Sequence, residues 1–305
     1  MGSYVTRLLL KRGWFVYGID KCTYAANVDL LDEFFEYENF SFDKQDINEI
    51  EFLYDCDYII NTAAETHVTN SIADSSAFVK SNVDGVYHLL ELIRGFRSSE
   101  RKPKLIHFST DEVYGDIEVG SFLESDTLKP SNPYSATKAA ADMLILAWAR
   151  TYGINYVIVR PTNNYGVNQY VEKLVPKSIK YLSIGRKIPL HNKGTPVRTW
   201  LHAADTARAI LTILESGACN EVFNISGNYE DSNLNVVTKI INTFDSTYCT
   251  EDHINLDFER AGQDVRYSID DSKLRSLGWE NKRDFDKEIL EIVAHYSLQR
   301  RKIIW

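Results

Sequence analysis

The chain has 305 residues, with 34 basic and 43 acidic side chains and a net charge of −9. That balance disfavours a general role on nucleic acid, which needs a basic footprint, but leaves room for an anionic small molecule held by a few arginines. Cys22, Cys56, Cys219 and Cys249 form no CxxC pair and no metal-ligand spacing, and no apolar run nears the roughly 18 residues that span a bilayer. The expectation is therefore reduced thiols, no metal, no membrane and a cytoplasmic protein.

In chain order, Met1-Gly2-Ser3 runs directly into an amphipathic helix from Tyr4 to Lys11, ended by Gly13. Trp14 to Ile19 reads as a strand ending at Asp20, followed by a helical stretch near 27–36 and a short strand before Asp46-Ile47. Asp57 to Asn61 is a strand ending in Ala63-Ala64, and a helix near 74–96 leads to the strand Lys104 to Phe108, which ends in Ser109-Thr110. A helix near 133–152 precedes the strand Tyr156 to Val159, which ends in Arg160-Pro161. Strand and helix in alternation predict parallel strands with right-handed crossovers, hence a doubly wound α/β sheet covered on both faces. Beyond about residue 165 the pattern mixes short strands (near 187–190 and 221–225) with helices (near 173–184, 203–216 and 232–244). This predicts a first domain over 1–165 and a smaller C-terminal α/β lobe over 166–305, the second free to share strands with the first.

In an open α/β sheet, ligands bind at the carboxyl ends of the strands. Asp20 sits there and is the candidate acceptor for both adenosine ribose hydroxyls, which favours NAD over NADP because a carboxylate repels a 2′-phosphate. Asp46 and Ile47 are placed to border the adenine, with Lys21, Ala63, Ala64 and Thr66 on the same rim. The usual opening strand and glycine turn do not precede the first helix, so Gly2 reads as the last glycine of such a loop and the chain is expected to be N-terminally incomplete. The same reading argues against the myristoylation pattern that Met-Gly-Ser-Tyr-Val-Thr also matches.

Tyr134 and Lys138 lie four residues apart in Asn-Pro-Tyr-Ser-Ala-Thr-Lys. Pro133 suits a first helical turn, and i, i+4 spacing sets both side chains on one face. A phenol that ordinarily ionises near 10 is a poor base at neutral pH. A neighbouring ammonium and a cationic nicotinamide ring would favour its phenolate. Thr110-Asp111-Glu112 follows a buried strand directly, where two adjacent carboxylates are hard to explain as packing. One would be protonated to assist loss of hydroxide and the other ionised to remove a carbon-bound proton, a split that environment can produce.

These residues, with Asn61-Thr62-Ala63-Ala64-Glu65-Thr66-His67-Val68, Asn163-Asn164-Tyr165-Gly166, Glu172-Lys173-Leu174-Val175-Pro176, Arg198-Thr199-Trp200-Leu201-His202 and Asp264-Val265-Arg266-Tyr267, resemble the dTDP-glucose and UDP-glucose 4,6-dehydratases of the extended short-chain dehydrogenase/reductase type. The resemblance spans nearly the whole chain, and the Thr-Asp-Glu set sets it apart from sugar 4-epimerases. It implies a Rossmann-type fold, bound NAD and a redox-neutral reaction. In that reaction C4 is oxidised with Tyr134 as base and Thr110 holding O4, Glu112 takes the C5 proton, Asp111 protonates the departing C6 hydroxyl, and hydride returns to C6. It further implies nucleotide-sugar contacts at His67, Asn163, Asn164, Lys173, Arg198, Asn224 and Arg266, a structural or rim role for His202, and a homodimer built on the helices near 74–96 and 133–152. Thr69 stands where an acidic residue is usual and His191 where an aromatic would border the base, which keeps dTDP-glucose, UDP-glucose and UDP-N-acetylglucosamine all open as substrates. The rival readings are a nucleotide-sugar 4-epimerase, which needs no Asp111-Glu112 pair, and an inactive NAD-binding scaffold.

Overall fold

The structure is a computed structural model that describes residues 1–96, 102–260 and 264–298. Its strands are β1 Val16–Ile19, β2 Phe40–Asp43, β3 Tyr58–Asn61, β4 Lys104–Phe108, β5 Tyr156–Pro161, β6 Asn163–Tyr165, β7 Ile188–His191, β8 Val197–His202, β9 Glu221–Ile225, β10 Tyr229–Ser232 and β11 Ile254–Phe258. β3-β4-β5-β9 form a parallel sheet, with Asn61 opposite His107 and Phe108 opposite Val159.

Strand periodicity explains how this sheet is covered. Ile106, Phe108, Val157 and Val159 pack against Val5 and Leu9 of the Gly2–Lys11 helix and against the Ala203–Ser216 helix. The alternate residues Leu105, Tyr156 and Ile158 pack the other way, against Val86, Leu90 and Ile93 of the Gly85–Gly95 helix and Ala141 and Ile145 of the Pro133–Tyr152 helix. His107 shares this second face with Leu105. The sheet is thus sandwiched by helices, the α/β architecture expected from the alternating pattern.

Two features fill in the detail of this architecture. β1 pairs in parallel only with β2, so the strands fall into two sheets, with Trp14 and Tyr58 in ring contact at 5.8 Å between them. Among the described residues no strand hydrogen-bonds β1 to β3. From beyond residue 165, β9 is the edge strand of the main sheet and the Ala203–Ser216 helix covers that sheet. The remainder of the second lobe does have its own core, in which Val175, Ile179, Val236, Ile240, Ile289 and Ile292 meet around the β10-β8-β6 and β11-β7 sheets. Residues 299–305 of that lobe lie outside the described residues.

Inside the main domain one ion pair is fully buried. Arg160, at the end of β5, donates from Nη2 at 3.0 Å and Nε at 3.1 Å to Asp142 Oδ2 on the Pro133–Tyr152 helix, and Ser109 Oγ donates to the same oxygen at 3.0 Å. Arg160 also donates to the Tyr114 hydroxyl at 2.7 Å. The network ties the ends of β4 and β5 to the helix that carries Tyr134 and Lys138. Arg160→Met leaves a buried carboxylate without its partner and should cost about 3–5 kcal/mol in urea unfolding. Arg160→Met with Asp142→Leu should recover most of that loss; a single variant as stable as the parent would contradict the coupling.

Candidate active site

The side chains at the carboxyl ends of the main strands converge. A cavity of about 200 Å³ is lined by Asp20, Lys21, Asp46, Ile47, Ala63, Ala64 and Thr66 together with Tyr24, Thr62 and Ser81. Seven of the eight sequence-predicted cofactor contacts outside the catalytic pair therefore share one pocket. The eighth, Gly2, begins the first helix, where an added Cβ would sit 2.9 Å from Thr62 Oγ1, so the helix N-terminus abuts the pocket wall. Asp20 is exposed and accepts the Cys22 N–H at 2.6 Å, while Lys21 pairs with Asp46 at 3.4 Å. The Ala63–Thr66 rim is clamped by buried Asn82, which accepts the Glu65 N–H at 2.9 Å and donates to the Glu65 carbonyl and to Thr137 Oγ1, each at 3.0 Å.

Next to this pocket lies the carboxylate pair. Thr110 caps a single tight turn, Asp111–Tyr114, by accepting the Glu112 N–H at 3.3 Å. The turn ends at Gly115 with φ +86°, a backbone state in which a side chain would drive into the Lys129 carbonyl. The two carboxyls consequently meet different surroundings. Asp111 is 3% exposed, takes a hydrogen bond from Thr110 Oγ1 at 3.1 Å, and leaves Oδ2 buried without a partner among the described residues. Burial, then the charge of Glu112, lifts its carboxyl to about 7. Glu112 is less buried and accepts from Asn132 Nδ2 at 3.3 Å and from the Tyr267 hydroxyl at 3.4 Å.

Tyr134 and Lys138 sit one turn apart on the Pro133–Tyr152 helix, whose start is fixed by Pro133 and by reciprocal capping between Asn132 and Ser135. Both side chains are buried, and Thr110 is hydrogen-bonded to the phenol. Burial raises the Tyr134 phenol, the Glu112 charge raises it further, and Asp111 adds to this. Sequence reasoning expected Lys138 to favour the phenolate. Among the chain's own groups the balance runs the other way, because the carboxylates face the phenol and burial also weakens the ammonium. Lys138 is lowered to about 8 by desolvation, opposed by Asp142.

Comparison with known proteins places this geometry. The family model described as GDP-mannose 4,6 dehydratase matches residues 1–292. A dTDP-glucose 4,6-dehydratase of Escherichia coli is 38% identical over 323 aligned positions, covering 97% of this chain and 90% of that protein. The chain belongs to the GDP-mannose 4,6 dehydratase family. The low-salt glycan biosynthesis protein Agl12 of Haloferax volcanii is 37% identical over 97% of this chain and 95% of its own length. Among solved structures, the dTDP-glucose 4,6-dehydratase DesIV of Streptomyces venezuelae, crystallised with NAD, superposes with a TM-score of 0.90 at 33% identity, covering 98% of this chain and 94% of that one.

The family member's substrate-side residues divide in two. Lys173 reaches across to the β3 side, its ammonium donating to the Thr66 carbonyl and Oγ1, each at 2.9 Å, and the charge of Glu112 acts on it. His67 caps the Val68–Ala73 helix and feels Glu172 and Lys173. Arg198 stacks over Tyr267 at 4.2 Å and donates to the Asp264 carbonyl at 3.0 Å, and its charge acts on Asp111. Arg266 is paired with Glu230 at 3.0 Å and donates to the Gly120 carbonyl at 2.9 Å. Asn163 is half-buried at the start of β6. Asn164, by contrast, spends its amide on Thr162 and Thr206. Asn224 is wholly buried, accepts from Tyr114, and donates to the Phe122 and Asp270 carbonyls, so both of its amide N–H bonds are spent within the fold.

Two participants were not picked out in the sequence. Asn132 stood in the sequence only as part of the Asn-Pro-Tyr segment, yet its side-chain N–H holds Glu112. Arg260 faces Glu112, Arg198 and Tyr267, and its Nε is buried with no hydrogen-bond partner among the described residues. Asn132 could have been found from its place in Asn-Pro-Tyr; Arg260 carries no local signal. In Glu112→Gln, Asp111 should titrate below about 7 but still above the ordinary carboxylate range, since burial is the larger cause. Carboxyl ¹³C NMR would follow it, and an unchanged midpoint would remove Glu112 from the electrostatics.

Proposed function

We propose that this chain is an NAD-dependent nucleotide-sugar 4,6-dehydratase that acts on dTDP-glucose. The single observation that carries the reading is the pair of unlike carboxyls at the end of β4, one fully buried and raised to about 7 and one half-buried, both acting on Tyr134. The pocket around Asp20 supports NAD: a helix N-terminus abuts one wall, small Ala63 and Ala64 leave room, and an exposed carboxylate stands at the end of β1 to meet ribose hydroxyls. Bound there, the cofactor would take hydride from C4 and return it to C6.

The chain's own residues then have separate tasks. Tyr134 takes the O4 proton as C4 is oxidised, with Thr110 holding that oxygen. The 4-ketone acidifies C5, Glu112 removes the C5 proton, and Asp111 gives its proton to the C6 hydroxyl, which leaves as water. C5 regains a proton at the end, so the net change is loss of one water. Arg198, Arg260 and Arg266 are the cations available for the diphosphate, and their planar donors suit phosphate oxygens. A 4-epimerase would need no buried acid beside Glu112, and a scaffold would need neither.

A homodimer is part of the same proposal. Tyr87 and Met143 are 48% and 49% exposed on the Gly85–Gly95 and Pro133–Tyr152 helices, an apolar pair that self-association would cover. Sedimentation should give a dimer, and Met143→Glu should shift it toward monomer.

Incubation with NAD and, in parallel, dTDP-glucose, UDP-glucose and UDP-N-acetylglucosamine should yield by mass spectrometry a product lighter by one water, fastest from dTDP-glucose. Recovery of the C4 epimer alone would refute dehydration. Asp111→Asn should lower kcat roughly 10²–10⁴-fold, the usual weight of a positioned acid. Because Asp111 must carry a proton, rising pH through about 7 removes the donor, so kcat should fall on the alkaline side with a midpoint near there. A rate that climbs steadily above that point would contradict the assignment.

A further inference from the structure

Behind the Tyr134–Lys138 pair lies a buried chain of polar groups that the reaction scheme does not use. His107 is wholly buried in β4, on the sheet face that meets the Pro133–Tyr152 helix. Its Nε2 lies 3.5 Å from Lys138 Nζ, and its Nδ1 lies 3.2 Å from the side-chain nitrogen of Asn61, its partner across the β3–β4 register. The Asn61 carboxamide oxygen is in turn occupied by the Ala63 N–H at 3.1 Å.

Hydrogen-bond polarity passes along this chain in one direction. The Ala63 N–H can only donate, so the Asn61 oxygen must face it and the Asn61 NH₂ must face His107. Nδ1 then has to accept, which puts the single proton of a neutral imidazole on Nε2. The neutral form is the one that burial and the adjacent Lys138 favour. An Nε2–H aimed at Nζ is a donor, which an uncharged amine can accept and an ammonium cannot.

We propose that Asn61 and His107 are positioning residues for Lys138: by fixing the imidazole as a donor, they favour the uncharged amine and turn any Nζ protons away from the sheet, toward the cofactor pocket. The charged group that acts on Lys138 is Asp142, one turn after it on the same helix and paired with Arg160 of β5. Asp142 pulls toward the ammonium and the imidazole N–H away from it, so the lysine is held close to a balance of charge states instead of being a fixed cation. The inference rests on the reading of Tyr134 and Lys138 as the hydride-transfer pair, but its test does not need turnover.

The test is ¹⁵N NMR of the imidazole in the full chain, with and without NAD. It should show Nε2 protonated and Nδ1 unprotonated; the reverse pattern would overturn the proposal, whether or not the enzyme turns over dTDP-glucose. In Asn61→Leu the imidazole is released and can present a lone pair to the ammonium, so Lys138, followed by side-chain ¹³C NMR, should titrate higher by about one pH unit. In His107→Phe the N–H donor is lost but no acceptor is gained, so the titration should rise less than in Asn61→Leu. A merely structural role predicts loss of stability in both with no such contrast, and equal lysine titrations in the two variants would also overturn the proposal. Should either variant fail to fold, the tautomer in the parent protein remains decisive.

Discussion

The constraint on which the site depends is the burial of one carboxyl group directly beside another. A carboxylate taken out of water loses solvation that Asp111 does not regain, since one of its oxygens has no partner among the described residues. It responds by holding its proton. Glu112 strengthens that response while itself facing the cleft, where Asn132 and Tyr267 contact it. Adjacent residues of the same chemical kind thereby meet unlike surroundings.

The fold around the pair can be understood as what keeps those surroundings unlike. β4 is buried on both faces, so the turn at its end lies inside the protein and only Glu112 of its four residues is partly exposed. Gly115 lets the chain reverse where no side chain would fit. The helix that begins at Pro133 presents Tyr134 to the pair, while its cap, Asn132, holds Glu112 from the far side. The Asp142–Arg160 ion pair anchors that helix to β5. The second lobe brings arginines and Lys173 over the cleft, and because β9 belongs to the main sheet, that lobe is tied to the strands that carry the chemistry.

Much of this was legible in the sequence because the physics is local. Alternation of strand and helix located β4 and β5 within two residues. The spacing of Tyr134 and Lys138 places them on one helical face, and the cofactor-side residues follow from strand ends. What was not legible depends on distant partners. Asn224 matched a substrate position, but its amide is used by Tyr114, Phe122 and Asp270, none of them near it in sequence. Arg260 lies just outside the Asp264-Val265-Arg266-Tyr267 segment and reaches the site only through the path of the chain after β11. The direction in which Tyr134 is pushed was also out of reach, since it depends on whether the facing charges or the lysine dominate, and that is a matter of burial.

The central claim is that a C5 proton passes to Glu112 while Asp111 expels the C6 hydroxyl. Turnover of dTDP-glucose in D₂O, with the product read by ¹H and ²H NMR, tests it most directly. The account predicts one solvent deuterium at C5, with the hydrogen that began on C4 recovered on C6. A product that keeps its hydrogen on C4 and carries no deuterium at C5 would mean that neither hydride transfer nor C5 deprotonation took place, and would contradict the account.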